Sequence, residues 1–211
     1  MSWIDISQPL NHQIAGWPGD TRFAYKVEYS KKDTGSVNIG KITMSLHTGT
    51  HIDAPYHFDE SGARVDELDV NLYIGPCQVI DVSEFQEITA DLLSHFTINK
   101  SSRLLLKTAL PNDPTIFPDV FPLLTIKAID YLKDQGIKLL GVDTPSVDLP
   151  DSKQLPIHHH LHQSGIHILE NVMLDHVEPG DYELSALPLA ISDADGSPVR
   201  AVIRPLKGDS L

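Results

Sequence analysis

Leu46-His47-Thr48-Gly49-Thr50-His51-Ile52-Asp53-Ala54-Pro55-Tyr56-His57-Phe58 is the stretch on which the reading of this chain turns. It places two imidazoles and a carboxylate within seven residues, with a third imidazole four residues further on. Histidine and aspartate are usual ligands of zinc and similar ions. Geometry decides whether they can share one. In an extended strand His47 and His51 would lie about 13 Å apart, too far when each Zn–N bond is about 2.1 Å. A helix would bring i and i+4 together. Gly49 between two threonines is poor helix material, however, and Ala54 before Pro55 is biased away from the α region. The remaining solution is a chain that bends at Gly49 and runs extended after it. His51 and Asp53 then share a face by two-residue alternation, and His47 folds back toward the same ion. His57 is next on that face. Its distance along an extended segment suits a free base beside the metal better than a fourth ligand. Tyr56 and Phe58 read as packing residues.

A second cluster lies further along, in Leu155-Pro156-Ile157-His158-His159-His160-Leu161-His162 and the following stretch to Asn171. A short helix starting near Pro156 and ending at Gly165 points the three adjacent histidines in different directions, so at most one or two face a single site. Spacing alone does not choose among His158, His159 and His160. Glu170 ends a β-like run and offers a carboxylate. A His and a Glu from this region could complete a second metal beside the first, with Asp53 bridging. His12, His95, His162, His167 and His176 read as surface or packing histidines. Trp17, in Gly16-Trp17-Pro18-Gly19-Asp20, sits in no regular element. It is either an aromatic wall for a planar substrate or the anchor of a loop in the core.

Around these clusters the chain is rich in short strands. Trp3–Ser7, Phe23–Tyr29, Val37–Leu46, Gln78–Val82, Arg103–Thr108 and Lys138–Val142 are β-like runs bounded by turn residues. Ala186–Ser192 and Val199–Arg204 flank Asp195-Gly196, a strong turn signal, and read as a terminal hairpin. Thr89 can cap a helix through Phe96, and Thr125 a longer one through Gln135. Asn112–Pro122, with three prolines after Asn112, reads as a surface loop. The mixture is α/β with more strand than helix. A chain of 211 residues without a linker or internal repeat suits a single domain over 1–211.

Composition narrows the partners. Sixteen Lys and Arg against 29 Asp and Glu give a net charge of −13, which repels phosphate backbones and anionic membranes. Neither nucleic acid nor membrane is an expected partner. The lone Cys77 cannot form an internal disulfide. The N-terminus lacks the pattern of a signal peptide, and no apolar run is long enough to span a bilayer, so a cytoplasmic location is expected.

At these residues the chain resembles the metal-dependent cyclase-like hydrolase family. The resemblance runs from Trp3 to about Arg204. It rests on Gly16–Asp20, on His47–Phe58, on Asp143-Thr144-Pro145-Ser146-Val147-Asp148, and on His158–Asn171. The Trp17 loop and the short chain favour the formamidase branch over longer relatives such as isatin hydrolases. The resemblance implies a mixed β-sheet core of the swivelling β/β/α type with few peripheral helices, in a homodimer or larger homo-oligomer. It implies one zinc on His47, His51 and Asp53, and a second zinc on Asp53, His158 and Glu170. The separation of twelve positions from that His to that Glu selects the first histidine of the triplet. His57 matches the family's proton donor and acceptor, and Trp17 its substrate-contacting tryptophan. The implied reaction is hydrolysis of N-formyl-L-kynurenine.

That chemistry agrees with the residue types. Zinc supplies activated water near neutral pH, and a histidine can move the proton to the leaving nitrogen. The chain has no G-x-S-x-G elbow, which disfavours a serine route. Cys77, in a β-rich segment without an adjacent histidine, reads as buried and inert. The alternatives are the same chemistry on another aryl amide, lactam or cyclic imide, and a metal-buffering protein without a reaction.

Overall fold

Leu104, Leu105 and Leu106 are all fully buried, yet they belong to two different cores. A strand covered on both faces sends successive side chains to opposite sides, and that alternation organises the molecule. The computed structural model describes residues 2–99 and 101–206. Its strands are β1 (Ile4–Asp5), β2 (Ala24–Tyr29), β3 (Ile39–Thr43), β4 (His51–Asp53), β5 (Ile74–Asp81), β6 (Glu87–Ile88), β7 (Arg103–Lys107), β8 (Leu123–Leu124), β9 (Leu139–Val142), β10 (His167–Glu170), β11 (Gly180–Ser185), β12 (Gly196–Pro198) and β13 (Val202–Pro205). The helices are α1 (Lys31–Thr34), α2 (Ala90–Ser94), α3 (Ile126–Asp134) and α4 (Pro156–Gln163).

Among the described residues nine strands form one mixed sheet in the order β1-β13-β11-β5-β7-β9-β10-β4-β12. The centre, β5-β7-β9-β10, is parallel. Antiparallel pairs extend it on both sides. One face is covered by helices: Leu104, Leu106, Leu140 and Ile168 pack with Leu93 of α2, Ala128, Ile129 and Leu132 of α3, and Ile157 and Leu161 of α4. The other face carries Leu105, Leu139 and Leu169. There Ile52 of β4 and Ile203 of β13, from opposite ends of the strand order, join a single cluster. The sheet therefore curls around that cluster. The α/β class with few helices is as the sequence suggests. Caps form where hydroxyls stand ready: Thr89 accepts from the Leu92 amide and Thr125 from the Ala128 amide.

Two expectations fail. Ala186–Ser192 is not a strand, and there is no hairpin at Asp195-Gly196. Val202–Pro205 pairs instead with Gly180–Ser185. The intervening chain crosses to the far edge of the sheet, where Gly196–Pro198 pairs with His51–Asp53. Pro198 is tolerated there because β12 is an edge strand. Chain extension also stops earlier after Asp53 than expected, since Pro55–His57 is a turn of 3-10 helix.

β2 and β3 leave the main sheet as a two-stranded ribbon, exposed at every residue. Among the described residues no helix is long and apolar enough to cross a membrane.

Because Leu105 is fully buried at the centre of the sheet, Leu105→Ala should lower the free energy of unfolding by about 2–5 kcal/mol. Urea unfolding with an unchanged m-value checks this.

Candidate metal centre and its cleft

Gly49 bends the chain with φ +69°, a left-handed conformation, and a Cβ there would lie 2.9 Å from Leu10 Cδ2. The bend lets His47 turn back over β4. His51 and Asp53 then alternate onto one face while Ile52 enters the core. The antiparallel register sets His51 opposite Glu170 and Asp53 opposite Ile168. The rings of His47 and His51 lie edge to face, with centroids 5.0 Å apart.

Among the described residues three groups of three potential ligands result, and two of them share a buried carboxylate. Of these two, one is His47, His51 and Asp53; the other is Asp53, His158 and Glu170. Within each, the ligand atoms lie within 4.8 Å of one another, and Asp53 is common to both. Each histidine is held by a partner on one ring nitrogen. His51 Nδ1 donates to the Gly49 carbonyl at 2.8 Å, which turns Nε2 toward Asp53 and Glu170, each 3.3 Å away. His158 Nδ1 meets the Asp148 carboxylate at 2.7 Å, and Nε2 lies 3.5 Å from Asp53 Oδ2. His47 contacts Asp53 through Nδ1 at 2.9 Å and Asp195 through Nε2 at 3.1 Å. Asp148 also accepts from the Ile157 and His158 amides, fixing the first turn of α4 and with it the His158 ring. Glu170 accepts from the Val147 amide.

The fit to a cation rests on two orphans. His51 Nε2 and Asp53 Oδ2 are buried and have no hydrogen-bond partner among the described residues. Unpaired buried polar atoms are costly, and these two face each other's groups. Their donor set, imidazole nitrogen and carboxylate oxygen, is that of zinc and related ions.

The electrostatics agree. Burial alone would depress the imidazoles. The carboxylates outweigh it, so His51 and His158 are raised to about 10 and His47 to about 9. Burial works to raise Asp53, but His158, His47 and His51 hold it well below the usual carboxylate range. Glu170 is raised, by burial first and by Asp53 second.

His57 is outside these two groups but forms the third with His47 and Asp195. From the 3-10 turn its ring lies over His47, with centroids 3.9 Å apart, and Nδ1 is 3.6 Å from Asp195 Oδ2. Burial, foremost, holds its pKa below the ordinary value. Trp17 packs edge-on against Phe117 at 5.3 Å and remains 37% exposed, so it is not a core anchor. Six of the seven expected site residues, Trp17, His47, His51, His57, His158 and Glu170, line one cleft of about 270 Å³. Asp53 lies buried beneath them. His159 and His160 do not line this cleft; His160 pairs with Asp130 instead. His167 bonds the Tyr73 hydroxyl.

Asp148 and Asp195 carry no role in the sequence reading. Asp148 stands ten residues before His158, a spacing that signals nothing until α4 forms. Asp195 is hidden inside a turn signal. Gly196 follows it for a steric reason: a Cβ there would lie 2.9 Å from His47 Cε1.

Residues 4–149 match the model of the Cyclase family, described as "Putative cyclase". The kynurenine formamidase of one Bacillus cereus strain is 59% identical over 204 residues, covering 97% of this chain and 98% of that protein. Among solved structures, a potential metal-dependent hydrolase with cyclase activity has a TM-score of 0.81 at 28% identity, over 96% of both chains. Isatin hydrolase A from Labrenzia aggregata has a TM-score of 0.82 at 25% identity, over 98% of this chain and 94% of that one.

The raised histidines make a signed prediction for chelated protein. Their stabilisation is complete below their unfolded pKa of about 6.5 and is lost as pH rises toward 9–10. Metal needs the neutral imidazoles, so its stabilisation grows over the same range. The gap in Tm between zinc-loaded and chelated protein should widen from pH 6 to pH 9. Parallel curves in a thermal scan at stepped pH would refute the cluster as a metal centre.

Proposed function

This chain belongs to the kynurenine formamidases of the Cyclase family, and on that premise we propose that it hydrolyses N-formyl-L-kynurenine to L-kynurenine and formate. The observation that carries the chemistry is a pair of ligand groups sharing one buried carboxylate, open to a cleft, with the imidazole of His57 beside them. In this reading His47, His51 and Asp53 would hold one zinc and Asp53, His158 and Glu170 a second. Three protein ligands per ion would leave room for a water, as catalytic rather than structural sites require. Bound zinc supplies Lewis acidity, lowering the pKa of water from about 16 toward 7 and polarising a carbonyl.

The chain supplies the rest. His57, with its pKa held down, is neutral near pH 7 and can accept a proton. Nδ1 lies toward Asp195, which leaves Nε2 to take the proton of the attacking water. As the water oxygen bonds to the formyl carbon and the C–N bond breaks, Nε2 returns that proton to the aniline nitrogen. Trp17 provides an aromatic wall for the ring. Gly49, Asp148 and Asp195 keep the ligand rings oriented, the task of outer partners in metal sites. A lactam hydrolase reading is supported only by likeness to isatin hydrolases, at far lower identity than the formamidases.

We also propose that residues 1–211 act as one domain, since the main sheet draws strands from Ile4 to Pro205. Tyr25, Val27, Tyr29, Ile39 and Ile42 on the exposed ribbon support a homodimer or larger homo-oligomer that covers them. A cytoplasmic location accords with a lone cysteine that is buried, its pKa pushed up to about 12 by that burial.

Purified protein should hydrolyse N-formyl-L-kynurenine, lose the activity to a chelator and regain it with zinc. His57→Ala should lower kcat by at least about 10²-fold with metal content unchanged. Normal turnover in that variant, measured beside its zinc content, would remove His57 from the mechanism.

A further inference from the structure

The cleft runs from a buried floor to an exposed edge. Its floor is buried: His51, His158, Glu170, Pro145 and Ser146. Its exposed residues are His57, beside the ligand groups, and Trp17, Asp20 and Lys153, which add one aromatic ring, one carboxylate and one ammonium. Among the described residues no ion pair engages either Asp20 or Lys153.

Both charges stand on loops that also carry residues of the site. The Asp20 amide donates to the Trp17 carbonyl at 3.0 Å, so the two residues close a single turn. Lys153 lies in the loop that leaves β9 and enters α4, five residues before His158. The Ser152 amide donates to Leu149, and Leu155 takes a left-handed φ of 42° immediately before Pro156. A leucine held in that region stores strain, and such strain collects at sites that need a fixed loop.

We infer that Lys153 and Asp20 select the amino-acid end of the substrate, Lys153 binding its α-carboxylate and Asp20 its α-ammonium. The inference rests on the formamidase reading. N-formyl-L-kynurenine carries its formamide on a ring whose other substituent ends in an α-amino acid. With the formamide at the floor and the ring against Trp17, that zwitterion emerges at the rim. A cation and an anion stand there, in a chain whose net charge of −13 would otherwise repel a carboxylate.

The test pairs two substrates. N-formyl-2-aminoacetophenone keeps the formanilide and the aryl ketone but lacks the amino acid. Wild-type enzyme should favour N-formyl-L-kynurenine over it in kcat/KM. Lys153→Ala should raise KM for N-formyl-L-kynurenine by at least about 10-fold, the worth of one charged hydrogen bond, and reduce the preference by the same factor. Asp20→Asn should act in the same direction, Lys153→Glu more strongly, and Lys153→Arg should restore most of the preference. A preference unchanged in Lys153→Ala overturns the assignment while leaving the formamidase reading in place. An equal loss on both substrates also overturns it, making Lys153 a residue of loop structure. Zinc-loaded wild type inactive on both compounds overturns the formamidase reading and the clamp with it.

Discussion

Two carboxylates, Asp53 and Glu170, lie buried within reach of the same two imidazoles, His51 and His158. An isolated buried carboxylate is prohibitively unfavourable, and two together repel each other. Much of the local structure follows from that constraint. Positive charge must be present, as protons on the histidines or as metal. The ring nitrogens must face inward, so their opposite nitrogens need partners outside: a backbone carbonyl for His51 and carboxylates for His158 and His47. Those partners must be fixed in turn. The amides of α4 and Val147 fix Asp148 and Glu170, which makes the helix terminus part of the centre rather than a neighbour.

The sheet supplies the precision. β4 is only three residues long, but it pairs on both sides, with β10 and β12. A register slip of one residue would send His51 and Asp53 into the core and Ile52 into the site. Ile52 in the curled hydrophobic cluster resists that slip. The cleft opens at the carboxyl ends of the parallel strands β9 and β10, where the loop from Asp143 begins and Glu170 stands, the usual place for a site in a parallel sheet. Asp143 anchors the start of that loop by accepting from the amide and hydroxyl of Thr108.

What was legible in the sequence was local. The bend at Gly49 follows from ligand reach and from a glycine between threonines, and the structure has it. The shared face of His51 and Asp53 follows from alternation. Choosing His158 over its two neighbours needed the family resemblance, because helix periodicity alone excludes no single member of a triplet. The rest required tertiary pairing. Gly196–Pro198 became a strand through a partner far earlier in the chain, so its turn signal pointed to the wrong hairpin. His57 left the extended path because Pro55 favours a helical start, and the fold-back brought it onto His47 rather than further down the strand. Asp148 and Asp195 were invisible because a carboxylate's role as an outer partner depends on which ring it meets.

Asp195 shows how closely sterics and chemistry are joined here. It contacts both His47 and His57, the first proposed to hold metal and the second proposed to move a proton. Its carboxylate is held at about 2, mainly by the hydrogen bond from His47, so it stays charged throughout the physiological range. It can reach both rings only because the chain beside His47 has no side chain at Gly196, where a Cβ would also crowd the Ile52 carbonyl. That same glycine pairs with Asp53 across β12 and β4. One edge strand thus fixes the register of the metal-binding strand and delivers a carboxylate to the base. The ligand geometry and the orientation of His57 are therefore not independent features, since a displacement of β12 would alter both.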